Sequence, residues 1–168
     1  DGIIIPIGGG KDSNVTLELL KKESDTLAFV IGSKAVSMEC ARIAGYDENR
    51  IIEVKRVIDK RLIELNGKGF LNGHTPFSAI VAFITYLCAS LIGKKYIALS
   101  NEDSANESNV EGENINHQYS KTIEFENDFR EYAEKYLMQG PEYFSMLRPI
   151  SELQIAYLFS RLEKYHSV

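Results

Sequence analysis

Apolar residues fall into four short unbroken runs along this 168-residue chain, and between the runs they recur at helical spacing. The runs lie at residues 1–7, 26–32 (TLAFVIG), 50–55 (RIIEVK) and 96–100 (YIALS). None shows the polar alternation of a strand with one wet face. Strands apolar on both sides belong in a parallel sheet covered by helices on both faces. Val15, Leu17, Leu19 and Leu20 predict a helix over 14–22, with Asp12 and Ser13 as its caps. A second helix is expected over 34–44, stopped by Gly45. Phe77, Ile80, Val81, Ile84, Leu87, Cys88 and Leu91 form the stripe of another, capped by Thr75 with Pro76 in its first turn. A less regular stretch at 57–65 is a further helix candidate, and helices are expected over 120–138 and 151–165. Strands interleaved with helices give an α/β fold: one domain, an open parallel sheet of four to five strands, helices on both faces.

Ligands of such sheets bind beyond the carboxyl ends of the strands. The loops on that edge follow Ile7, Ile31 and Ser100, and two of them are conspicuously polar. The first reads PIGGGKDSN, residues 6–14. A G-x-x-x-x-G-K-[ST] phosphate loop is excluded, because Ile5 stands at its first glycine and Asp12 follows Lys11. The dinucleotide pattern G-x-G-x-x-G fails at Ser13. What remains is a concavity of backbone N–H groups from Gly8, Gly9 and Gly10, facing the positive end of the next helix. Lys11 adds a cation, Ser13 a hydroxyl donor, and Asp12 an acceptor suited to magnesium or to fixing the loop. The plain alternative is a glycine turn ahead of a helix.

Three further stretches carry chemistry: LNGHTPFSAI at 71–80, SNEDSANESN at 100–109 and NHQYSK at 116–121. His74, Glu102, His117 and Tyr119 are the candidates for moving a proton, being groups that a site can tune towards neutral pH. Lys121 is a candidate for neutralising a carboxylate or phosphate, and Asn101 and Ser104 for contacting a nucleotide.

Composition narrows the partners. Net charge is -5 and the pI about 5.3, so nothing favours nucleic acid, and the basic pairs Lys55-Arg56, Lys60-Arg61 and Lys94-Lys95 read as solvated faces. Cys40 and Cys88 lie 48 residues apart without a partner spacing, as expected for buried thiols in a reducing, cytoplasmic compartment. The 19 uncharged residues at 75–93 include Pro76, Ser78, Thr85 and Ser90, so a core helix is expected there and no membrane span. The chain opens on a strand without methionine and reads as one domain of a longer protein.

The glycine loop resembles the S-G-G-x-D-S loop of the PP-loop ATP pyrophosphatase superfamily, written here as Gly8-Gly9-Gly10-Lys11-Asp12-Ser13 with glycine at the first serine. With NGH-x-P-x-x-A, SNE-x-SA-x-x-SN and NHQYSK-x-x-EFE, the chain is similar to the ATP-dependent UDP-N-acetylmuramoyl-L-alanyl-L-glutamate epimerases of bacterial peptidoglycan synthesis. That resemblance implies an adenine nucleotide alpha hydrolase-like fold, with ATP and Mg2+ as cofactors. It also implies cleavage of ATP to AMP and pyrophosphate, with adenylation of the terminal glutamate carboxylate of a UDP-muramoyl dipeptide. The mixed anhydride acidifies the α-proton, which a base removes and an acid returns on the other face, and hydrolysis of the anhydride then releases AMP. Proteins of this family carry a preceding region that is not in this chain, so an N-terminal domain is expected outside it. Another PP-loop ligase or thiolase, or a non-catalytic nucleotide-binding domain, remains the alternative.

Overall fold

The computed structural model describes residues 1–32, 35–71, 76–107, 116, 118–137 and 140–168. Its five strands are β1 (Ile3–Pro6), β2 (Thr26–Ile31), β3 (Ile51–Val54), β4 (Tyr96–Leu99) and β5 (Glu142–Ser145). They form one parallel sheet in the order β3-β2-β1-β4-β5. The chain runs outward from β1 to β3, then returns to place β4 on the other side of β1. The order reverses between β1 and β4, where an open α/β sheet leaves a crevice at its carboxyl edge.

The apolar runs are buried on both sides, as expected. Ile5, Ala28, Val30 and Ala98 face one core with Leu17, Leu20, Cys40 and Ala41, from helices α1 (Lys11–Leu20) and α2 (Ala35–Ala44). Ile4, Phe29, Ile31, Ile97 and Leu99 face the other, with Ala82, Tyr86, Ala89, Phe129 and Ala133. These last come from α4 (Phe77–Ile92) and α5 (Ile123–Tyr136), which α3 (Lys60–Gly67) precedes. The final helix, α6 (Glu152–Ser160), opens on a capping box between Ser151 and Gln154. Gly45, at φ +100, closes α2 as its sequence position suggested.

Several expectations are corrected. Helix α1 starts at Lys11, with Gly10 as its N-cap and no side-chain cap; Asp12 and Ser13 lie inside the first turn, and the Ser13 hydroxyl donates to the Gly10 carbonyl at 2.9 Å. Strand β5 went unseen because Glu142 and Ser145 flank only two aromatic residues, too short a pattern to mark a strand. Helix α4 is not buried all round. Its small residues and Tyr86 meet the sheet, while Phe83, Leu87 and Leu91 stand on the exposed side. Cys40 is buried, but Cys88 is only partly so. Thr75 lies outside the described residues; Pro76 immediately precedes α4. Among the described residues no helix is long and apolar enough to cross a membrane.

Candidate functional site

A cleft of about 470 Å³ opens where the carboxyl ends of β1, β2 and β4 meet, at the reversal of strand order. One side is the glycine turn: Gly8, Gly10, Asp12 and Ser13 line it. Because no side chain caps α1, its first amides are left for an anion, and the helix dipole favours negative charge at that end. Gly9 turns away from the cleft at φ +85, against the start of α2. A Cβ there would lie 2.9 Å from Val36 Cγ1 and 3.3 Å from Ser37 Oγ, whereas one on Gly8 would meet nothing within 4 Å. Gly9→Ala is therefore expected to cost about 1–2 kcal/mol in thermal melts and to weaken anion binding by the loop. Gly8→Ala is the matched control and should leave the melt near that of the parent.

The opposite wall comes from the loops after β4 and before α5. Asn101, Glu102, Ser104 and Lys121 all line the cleft, facing the glycine turn. The Glu102 carboxylate accepts from the Ser104 amide at 3.0 Å and from the Ser104 hydroxyl, and the Asn101 amide donates to Ser145 Oγ at 3.2 Å. Between the walls the cleft has an apolar side of Phe29, Ile31, Phe77, Val81 and Leu99. The Arg56 guanidinium sits 5.0 Å from the centre of the Phe77 ring, so part of one basic pair reaches a wall residue.

Besides Gly9, two described candidates stand apart from the lining, Lys11 and Tyr119. The Lys11 ammonium is 3.0 Å from Asp12 Oδ1 and 3.1 Å from Glu152 Oε1, a carboxylate that does line the cleft. Partial burial disfavours that ammonium, but its hydrogen bonds to Asp12 and Glu152 outweigh this and hold its pKa above the usual lysine value. The Tyr119 hydroxyl donates to Asp128, which, with some desolvation, pushes its pKa up to about 12. His74 and His117 lie outside the described residues.

Gln118, a potential contact in the NHQYSK stretch, lines the cleft. Three residues join the site that the sequence does not single out: Asn116 and Glu152 line the cleft, and Arg148 binds the backs of its loops. Asn116 is within reach, since it belongs to the same stretch as Gln118. Glu152 sits in the S-x-x-Q signature that starts α6, which signals a helix end rather than a site. Arg148, in LRPI, carries no local signal.

Residues 2–146 match the family model of the MurL N-terminal domain. A UDP-N-acetyl-alpha-D-muramoyl-L-alanyl-L-glutamate epimerase from Xanthomonas oryzae pv. oryzae is 36% identical over 96% of the chain. A protein of the same name from Salinispora tropica is 39% identical over a similar share. The chain spans about a third of the length of these relatives, 36% and 35%. Among solved structures, the U34-tRNA thiolase NcsA from Methanococcus maripaludis shares the fold with a TM-score of 0.60 at 16% identity, covering 96% of this chain and 56% of that one. A predicted subunit of a tRNA methyltransferase from Methanocaldococcus jannaschii superposes with a TM-score of 0.50 at 14% identity, over 95% of this chain and 74% of that one. The fold is thus an adenine nucleotide alpha hydrolase-like one, and the chain belongs to the family of the MurL N-terminal domain.

Proposed function

We propose that this chain is the nucleotide-binding domain of an ATP-dependent, AMP-forming epimerase. Its substrate would be UDP-MurNAc-L-Ala-L-Glu, whose terminal L-glutamate becomes D-glutamate during peptidoglycan synthesis in the cytoplasm. One observation carries the reading: relatives bearing that name align along 96% of the chain, and its glycine loop and two polar loops meet in one cleft. In this reading Gly8, Gly10 and the uncapped start of α1 hold the departing pyrophosphate, and Gly9 shapes the turn that presents them. The apolar side, Phe29 with Val81, suits a flat base, and Asn101 and Ser104 offer polar contacts to the rest of the nucleotide.

Asp12 is the carboxylate that would hold magnesium. Among the described residues no group of three or more His, Cys, Asp or Glu side chains forms a cage. A single carboxylate beside a phosphate loop fits magnesium, which keeps its waters and shares phosphate oxygens. The ion would supply charge neutralisation there. Lys121 faces the loop from the other wall and would neutralise the substrate carboxylate. Glu102, with His74 and His117, remains a candidate for the proton transfer. Tyr119, held on Asp128 outside the cleft lining, receives no role.

The test uses the full-length protein with ATP, Mg2+ and UDP-MurNAc-L-Ala-L-Glu. AMP and D-glutamate are expected only when all three are present. AMP with a different acceptor alone would make the protein a ligase or thiolase of the same fold. Nucleotide binding with no AMP under any acceptor would leave a non-catalytic domain.

A further inference from the structure

Among the described residues, the far wall of the cleft is built from loops and short 3-10 turns. Glu102 and Ser104 sit on a loop ending in a single 3-10 turn (Asp103–Asn106), and Lys121 on another (Tyr119–Lys121). Arg148, just beyond β5, reaches behind both. One of its terminal nitrogens donates to the Glu102 carbonyl at 2.9 Å, and the other donates to the Lys121 carbonyl at 2.9 Å. The second also reaches Ser145 Oγ at 3.3 Å, the oxygen that receives the Asn101 amide. Its charge is met by Glu126 Oε2 at 3.2 Å, on the first turn of α5, whose other oxygen takes Arg130 at 2.9 Å. The Arg148 side chain is 14% exposed and that of Glu126 only 5%, so water does little of this work.

We infer that Arg148 is the positioning residue of this site. Its guanidinium joins the loops carrying Asn101, Glu102 and Lys121 into one wall aimed at the glycine turn. It touches backbone and Ser145 rather than the cleft, so it acts through those residues. Only a planar fork with several fixed donors can bind two carbonyls, a hydroxyl and a carboxylate together; a lysine ammonium can satisfy Glu126 but cannot span the rest. The glycine turn lies on the far side and is anchored by β1 and α2. Loss of the fork should therefore disturb one wall and spare the other.

Arg148→Lys in the full-length protein tests this, with hydrogen exchange and steady-state kinetics read together. Amides at 101–107 and 118–122 are expected to exchange at least about tenfold faster, with those of β1 and β2 unchanged. The kinetic readout rests on the adenylating reading above: kcat for AMP formation should fall about tenfold or more while KM for ATP stays within about twofold. Exchange that rises throughout the sheet, with a much lower melting temperature, would make Arg148 a stability residue only and overturn the inference. Unchanged loops with unchanged kcat would overturn it too. If the parent protein forms no AMP while the exchange change stays confined to the two loops, the adenylating reading falls and the positioning role stands.

Discussion

On the proposed function, Asp12→Ala should lower AMP formation by at least about 100-fold, the loss expected when one preorganised charge is taken from a nucleotidyl-transfer site. The fold should survive. Asp12 lies in the first turn of α1, where it favours the helix dipole and stands 3.0 Å from the Lys11 ammonium. Losing such a partly exposed carboxylate costs about 0.3–1 kcal/mol, a fall of roughly 2–4 °C at most in the melt of a domain this size. Asp12→Asn separates two roles for the side chain. An amide keeps a hydrogen-bond acceptor and loses the charge. Activity near that of the parent in the Asn variant would mean that Asp12 merely shapes the loop, and the metal assignment would be wrong. Loss as deep as in the Ala variant supports the assignment.

A second large effect is expected at Glu126, in stability rather than turnover. This carboxylate is 4% exposed and is shared between Arg130 and Arg148. Replacing it with Leu leaves the Arg148 guanidinium buried without its counter-charge, for which about 3–5 kcal/mol of destabilisation is usual. Arg148→Met added to Glu126→Leu should recover part of that loss, because an apolar pair of similar volume needs no counter-charge. Denaturant unfolding of both variants measures the difference. A single variant within 1 kcal/mol of the parent, about the ceiling for an exposed pair, would show that water reaches this site freely.

Much of the architecture was legible because burial on both faces leaves a plain mark. Ile3, Ile4 and Ile5, or Phe29, Val30 and Ile31, cannot sit in a strand with one wet side. The glycine turn was legible for a related reason: position after such a strand confines it to the carboxyl edge. Other features needed the third dimension. The wide apolar stripe of α4 reads as a buried core helix, yet the sheet takes the small side chains and leaves Leu87 and Leu91 outside. Asp12 and Ser13 look like caps in one dimension, which puts the expected start of α1 at Asn14, three residues late. Glu152 and Arg148 reach the site from more than 130 residues beyond the glycine turn, through pairings that no local pattern encodes.

The strand order has a consequence for folding. β1 pairs with β4 across a long sequence separation, Ile3 beside Tyr96, and the cleft opens at the end of that pairing. Closing so long a loop costs entropy before any contact rewards it, so this pairing belongs among the slow steps. The glycine turn and the polar loops lie on opposite sides of the seam and face each other only once it has closed. A nucleotide spanning them would act as a staple across the two halves, raising the unfolding free energy by the logarithm of its saturation. In this chain the two halves of the candidate site come into register only through the same long-range pairing that completes the sheet.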